Sequence, residues 1–371
     1  MFNYTKPSFV ISQSNFSLIW FVDTNQFLVV QGALEVFFSE AVVQTESEYL
    51  EALEGLERIY PEISDLMEAI SIDNTNTFAK EAPSVDCKHL HHNDFEVSNL
   101  GMGQRTVTVY YGSKALQILF DAPYNYLKTK HTKSNKKLTI LGKENTLSLF
   151  NGKKLVYTTP KEQFFVLQAQ FANQLTEFYH SIDKPHWLCA FHGCAVQKNN
   201  KTFLILGNSG TGKSTLSSLL SLSDYRFIAD DLVLMDHDFK VYDNPAAVSV
   251  KENAWPVIQS HYNHFSAVEP SEKTKGQTRM KFLPLHALQN ITPESFEVEA
   301  LVWVHYAKDQ TDSLSSLDKK QALSRLIPDT WVNPELASAK AFAHWAMDIK
   351  TYQLNYSDFK AAKKLFDAQL Q

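Results

Sequence analysis

The chain has 371 residues, 44% hydrophobic and 12% aromatic with 20% charged, enough for a sizeable core and too little charge for a disordered chain. Lys plus Arg number 35 against 41 Asp plus Glu, a net charge of −6, which excludes a global positive field and with it nucleic acid or an anionic membrane as the main partner. Cys87, Cys189 and Cys194 form neither a disulfide framework nor a paired zinc pattern, no apolar run reaches eighteen residues, and no basic leader with a small-residue cleavage site opens the chain, so a cytoplasmic protein of two domains is expected.

Short apolar runs at 8–11, 17–22 and 27–30 read as strands, and a helical pattern over 46–70 is interrupted at Pro61. Residues 71–104 are polar and turn-rich. Within them Cys87, His89, His91, His92 and Asp94 collect metal-competent side chains at spacings that match no zinc template, so a loop is expected there. Runs at 105–111, 115–120, 138–141, 146–150 and 155–158 read as further strands, with the basic stretch 128–137 between them as a solvated loop. Residues 1–160 are thus expected to form an α+β domain that names no ligand. A second domain, 161–371, opens with a helix running to about Ile182, because Phe164, Leu167, Phe171, Leu175 and Phe178 recur at spacings of three and four. The chain then alternates strands and helices and closes with a strand at 298–306, helices near 317–326 and 334–347, a strand at 352–355 and a helix at 359–370.

Near the middle stands GNSGTGKST, residues 207–215, which satisfies G-x-x-x-x-G-K-[ST] in full. Its flanks are those the motif needs: Phe203 to Leu206 is an apolar strand, and Leu216, Leu219 and Leu220 put an apolar face on a following helix. Gly207, Gly210 and Gly212 permit backbone angles that let the N–H groups of Asn208, Ser209, Thr211 and their neighbours curl around phosphate, while the helix N-terminus near Thr215 adds positive potential. Lys213 is expected to reach the terminal phosphates and Ser214 to ligate Mg²⁺.

The loop says nucleotide and leaves the reaction open, so its neighbours must decide. Residues 187–197 (WLCAFHGCAVQ) and the strand from Thr202 read as a hairpin across the polar turn Lys198, Asn199, Asn200, Lys201. Pairing Gln197 with Thr202 puts His192 opposite Gly207, where an imidazole would serve the transferring group as a charge or proton partner; a slip of one residue would turn it to the other face. Downstream, the short strand at 227–229 ends in Asp230 and Asp231, which divide naturally into a carboxylate on the magnesium water shell and one that deprotonates a hydroxyl nucleophile.

FHGCAV, LILGNSGTGKST and FIADDLVL together resemble the C-terminal catalytic domain of the HPr kinase/phosphorylase family, related in fold to phosphoenolpyruvate carboxykinase, over about residues 189–235. The resemblance implies an α/β phosphate-loop domain of that type behind the α+β N-terminal domain. It implicates His192, Lys213, Asp230 and Asp231 in catalysis and Ser214 with Asp230 in Mg²⁺ binding, with Asp231 as base, and the family's oligomeric habit implies a homo-oligomer. The family's E-I-R-G-x-G loop has no counterpart, since residues 244–252 (NPAAVSVKE) occupy its place, and the regulatory N-terminal domain is not recognisable. An acceptor other than HPr is therefore expected, and free serine kinases on the same domain show that it need not be a protein. The basic, Gly-containing stretch 271–281 is expected to close over the nucleotide, with Arg279 and Lys281 offsetting charge on the transferred phosphoryl. The sequence expectation is thus an ATP- and Mg²⁺-dependent kinase acting on a hydroxyl of a protein or small molecule; the alternative is a nucleotide-binding regulatory or assembly module with little phosphotransfer.

Overall fold

The computed structural model describes residues 6–60, 62–70, 95–184, 186–271 and 279–369; the cluster from Cys87 to Asp94 and residues 272–278 of the basic stretch lie outside them. By its contacts the chain forms two compact units, one of Met1–Lys80, Trp187–Ala190 and Leu317–Thr351, the other of Glu81–His186, Phe191–Ser316 and Tyr352–Gln371. The boundary expected near residue 160 falls inside the second unit, between the strand Lys154–Pro160 and the helix Phe164–Tyr179. Among the described residues no helix is long and apolar enough to cross a membrane.

The first unit begins with a three-stranded antiparallel meander, Phe9–Ser12, Ser17–Phe21 and Gln26–Val30. Its tight second turn needs Asn25 in a left-handed conformation, φ 52°, which a short polar side chain tolerates. That side chain accepts from the fully buried Trp20 indole at 3.0 Å and donates to the Val332 carbonyl at 2.7 Å, so the turn satisfies a core donor and binds a segment three hundred residues away. Helices Ala33–Ala41, Glu46–Ile59 and Glu62–Ile70 cover Ile19, Phe21 and Val30, the second starting at a Thr45/Glu48 capping box and ending before Pro61. The helix Ala33–Ala41 is absent from the sequence expectation.

The second unit carries a five-stranded sheet in the order Glu96–Met102, Arg105–Tyr111, Lys136–Lys143, Thr146–Asn151, Lys154–Pro160. Its second and third strands are parallel, and parallel neighbours need a crossover. The helix Lys114–Asp121 supplies it, correcting the strand expected at 115–120. Ser113 caps that helix, its hydroxyl accepting from Leu116 N, and Leu116, Leu119 and Phe120 turn an apolar stripe onto the sheet that a short apolar run does not disclose. Leu167, Phe171, Leu175 and Phe178 of Phe164–Tyr179 fill the same core, as their spacing predicts. The basic stretch 128–137 is stitched down: Lys128 pairs with Asp121 at 3.0 Å, and Ser134 and Asn135 accept from Thr108 N and Thr106 N.

The same unit holds strands in the order Arg226–Ala229, Cys194–Lys198, Lys201–Leu206, Ser295–Tyr306, Lys240–Tyr242, Val233–Asp236. Lys201–Leu206 runs parallel to Ser295–Tyr306, so both present their C-terminal ends at one edge, where open α/β sheets bind ligands. The helices Lys213–Ser223 and Phe359–Gln369 pack over this sheet through Leu216, Leu220 and Phe366. A separate two-stranded ribbon, Val248–Lys251 with Met280–Leu283, lies over Leu219 and Phe227.

Candidate active site

Gly207 to Gly212 joins the C-terminal end of Lys201–Leu206 to the helix beginning at Lys213, the strand-to-helix turn that a phosphate cradle requires. The glycines are not interchangeable with other residues. Gly212 has φ 98°, and a Cβ there would lie 2.4 Å from the Tyr356 hydroxyl; Gly207 has φ 138°, and its Cβ would press on Thr211 Oγ1 and the Val304 carbonyl. Thr211 closes the loop by donating to Asn208 O at 2.8 Å, and its own carbonyl accepts from Tyr306 N at the end of the neighbouring parallel strand. The Lys213 ammonium is buried and donates to the carbonyls of Gly207 and Asn208, so it lies inside the cradle.

The hairpin ladder runs Lys198↔Lys201, Gln197↔Thr202 and on to Cys194↔Ile205, the register inferred from the turn, and ends there. His192 lies beyond it, half-buried, in a bend with Gly193. A Cβ on Gly193 would come within 2.7 Å of Leu206 Cδ2 and 2.9 Å of Ile205 O, so this bend presses directly against the residues that lead into the loop.

On the other side of Cys194–Lys198, a bulge between Ala195 and Val196 shifts the pairing with Arg226–Ala229 so that Ala195 faces Ala229. The shift decides the site. It aligns Cys194 with Asp230, and the thiol donates to Asp230 Oδ1 at 2.8 Å. The same oxygen accepts from Ser214 Oγ at 2.8 Å, while Oδ2 accepts from Ser249 N at 3.1 Å and Ser249 Oγ at 3.3 Å. Asp230 is 4% exposed. Burial, and then the Asp231 charge beside it, push its carboxyl up to about 7. Burial and the Asp230 charge likewise hold the Cys194 thiol well above its ordinary range, so it is a donor here.

Neighbouring side chains in a strand point to opposite faces. Asp230 and Asp231 escape that rule because Asp231 adopts a left-handed conformation, φ 62°, within a three-residue turn closed by Leu232 N donating to Asp230 O at 2.8 Å. Both carboxylates thereby meet one hydroxyl, with Ser249 Oγ also 3.3 Å from Asp231 Oδ2, while Asp231 itself stays exposed. Asn244, buried, holds the turn from behind: its N–H donates to Ile228 O at 2.9 Å and its side-chain amide to Leu232 O at 3.1 Å.

The ribbon brings in residues that composition did not single out. Ser249 and Lys251 share one face of Val248–Lys251, and Lys251 Nζ donates to Ser209 Oγ of the loop at 3.1 Å. Val248 and Val250 share the other, core-facing side. Lys281 pairs with Val250 and therefore belongs to the core face. Its ammonium donates to the carbonyls of Phe265 and Ser266 and lies 5.1 Å from the Trp255 ring centroid. Arg279 lies over Trp255 and 3.7 Å from the Glu252 carboxylate. The geometry therefore engages Arg279 and Lys281 with Trp255 and its surroundings, in contrast to the expectation that they close over the nucleotide.

Ser214 Oγ and Asp230 Oδ1, two hard oxygens 2.8 Å apart where the Gly207–Gly212 loop enters its helix, are of the type that suits Mg²⁺, which takes one or two protein oxygens and completes its shell with water and phosphate. Among the described residues no cluster of three or more His, Cys, Asp or Glu forms an all-protein metal cage.

No family model matches the chain, and no curated protein matches it. Among solved structures it is similar to the Hpr(Ser) kinase/phosphatase from Coxiella burnetii, with 11% identity over 48% of this chain and 95% of that one and a TM-score of 0.25.

Proposed function

We propose that the protein is a magnesium-dependent kinase that transfers the γ-phosphoryl of ATP to a hydroxyl on a protein or small molecule. The observation that carries this reading is the Ser214–Asp230–Ser249–Asp231 chain of hydrogen bonds at the start of the phosphate-loop helix. The second carboxylate, exposed and held beside the first by a left-handed turn, is placed to take a proton from an incoming hydroxyl, which favours transfer over mere nucleotide holding.

Gly207 to Thr215 would wrap the phosphates through backbone N–H groups, and Lys213 would exchange its loop carbonyls for β- and γ-phosphate oxygens. Mg²⁺, held by Ser214 and through water by Asp230, would supply charge neutralisation between those oxygens. Asp231, exposed at the edge, accepts the proton of the acceptor hydroxyl as the new oxygen–phosphorus bond forms and the bond from phosphorus to the ADP oxygen breaks. His192, on the bend pressed against Leu206, is assigned to the transferring group as a charge partner.

The test is transfer of radiolabelled γ-phosphate from ATP to components of a cell extract. Wild type is expected to label a product, and Asp231→Asn to lower the rate by about 10²- to 10⁴-fold with ATP affinity retained. ATP binding without any labelled product from the wild type would instead support the regulatory-module reading.

A further inference from the structure

We propose that Lys251 is a second catalytic cation of the site, its ammonium moving from Ser209 to the γ-phosphate of bound ATP and offsetting the charge that develops there during transfer. The assignment rests on the kinase reading and adds to it a residue that neither the loop motif nor the Asp–Asp pair indicates.

Strand alternation provides the first support. In the sequence Val248, Ser249, Val250, Lys251 the two valines go into the core under the ribbon, so Ser249 and Lys251 must point the other way, toward the loop and the carboxylates. Contact provides the second. Ser249 bonds both Asp230 and Asp231, and two residues further on Lys251 reaches the hydroxyl of Ser209, inside the phosphate loop. The ribbon, packed against the motif helix at Leu219 through Val248 and Val250, therefore brings a third element to the site. Its anchorage is firm: Lys251 pairs with Met280 and Val250 with Lys281, while the Trp255 indole donates to the Val250 carbonyl at 2.9 Å.

Charge provides the third. The site gathers two carboxylates and is to receive a triphosphate, with Lys213 alone as the loop's own cation. Phosphoryl transfer is accelerated by positive groups set around the γ-phosphate oxygens, and a cation reaching in from outside the loop is a recurrent solution. Lys281 is committed to the Phe265 and Ser266 carbonyls on the core face, and Arg279 to Trp255 and Glu252. Lys251 is exposed, and a single hydroxyl contact is readily exchanged for a phosphate oxygen.

A purely structural role, stapling ribbon to loop, makes a different prediction, because a staple serves ATP and ADP alike. Binding of ATP and of ADP, each with Mg²⁺, is measured on the full-length protein by titration calorimetry, together with release of the γ-phosphoryl from ATP in single turnover with cell extract supplying the acceptor hydroxyl. Lys251→Ala is expected to weaken ATP about tenfold and ADP less than about twofold, and to slow release by roughly a hundredfold or more, with Lys251→Arg recovering most of both. An equal loss for ATP and ADP, or no loss, overturns the assignment and leaves the kinase reading standing. Wild type that binds neither nucleotide overturns both. Wild type that binds ATP but releases and transfers no phosphate overturns the kinase reading and, with it, the catalytic role of Lys251.

Discussion

Two buried aspartates in the same unit have opposite surroundings. Asp121, under the five-stranded sheet and 2% exposed, accepts from Ser98 Oγ and Tyr111 OH and pairs with the Lys128 ammonium at 3.0 Å. Asp230, 4% exposed, accepts from a thiol, two hydroxyls and an amide, all neutral, and has a second carboxylate as its chain neighbour. The first has its countercharge built in. The second is satisfied in hydrogen bonds and deficient in positive charge, an arrangement that costs stability until a cation arrives. Asp243 stands between them: one oxygen takes Arg226 at 2.9 Å and Glu294 N at 2.9 Å, while the other has no hydrogen bond and faces His286 Nε2 at 3.9 Å. An aspartate with an internal cation maintains the fold; Asp230, without one, is the residue proposed to meet a bound cation.

The largest test of that contrast removes the carboxylate proposed to hold magnesium. Asp230→Asn should lower phosphoryl release by about a thousandfold in single turnover, since the cation site and the hydroxyl network fail together. Its melting temperature should not fall with the activity; a variant that unfolds without losing turnover per folded molecule would place Asp230 in the same class as Asp121. The converse change is next in size. Asp121→Ala leaves a buried tyrosine hydroxyl and a serine without their acceptor and should cost about 3 kcal/mol in urea unfolding, with turnover per folded molecule unchanged.

The smallest effect concerns pH. Burial raises Asp243 to about 7 against the opposing pull of Arg226, and the same burial holds His286 neutral, down to about 3. Between an unfolded value near 4 and the folded value, the native chain holds a proton that the unfolded chain does not, so this contribution to stability is present at low pH and lost as pH rises through about 7. Asp243's own share of the loss from pH 6 to pH 8 should be about 1.4 kcal/mol, read as the difference between the denaturant-derived pH profiles of wild type and Asp243→Asn, since Asp230 adds a loss and His286 an opposing gain to both profiles. A profile in Asp243→Asn that parallels wild type would remove Asp243 as a contributor.

Much of this site is legible in the sequence where spacing is local. The phosphate-loop pattern carries its own strand and helix, and the four-residue turn from Lys198 to Lys201 fixes the pairing of Gln197 with Thr202. What escapes depends on partners distant in the chain. The bulge at Ala195/Val196 that aligns Cys194 with Asp230 has no signature in composition, and the left-handed turn at Asp231 follows from no propensity of its neighbours. Arg279 and Lys281 attract notice because their stretch is basic. Which face each takes is decided by the register against Val248–Lys251, and there the alternation of Val248, Ser249, Val250 and Lys251 was the available signal. The helix Lys114–Asp121 reads as a strand until the parallel pairing of Arg105–Tyr111 with Lys136–Lys143 demands a crossover. The mixing of early and late segments in the first unit, with Phe27 packed 5.5 Å from Phe342, is invisible to any pattern along the chain.

The most direct measurement is calorimetric titration of the full-length protein with ATP, with Mg²⁺ and with Mg²⁺ chelated, for wild type, Ser214→Ala, Asp230→Asn and Asp121→Asn. Mg²⁺ is expected to strengthen ATP binding in wild type and in Asp121→Asn, and to have no effect in Ser214→Ala and Asp230→Asn. ATP binding indifferent to Mg²⁺ in the wild type, or a Mg²⁺ effect that survives both site substitutions, would contradict that expectation.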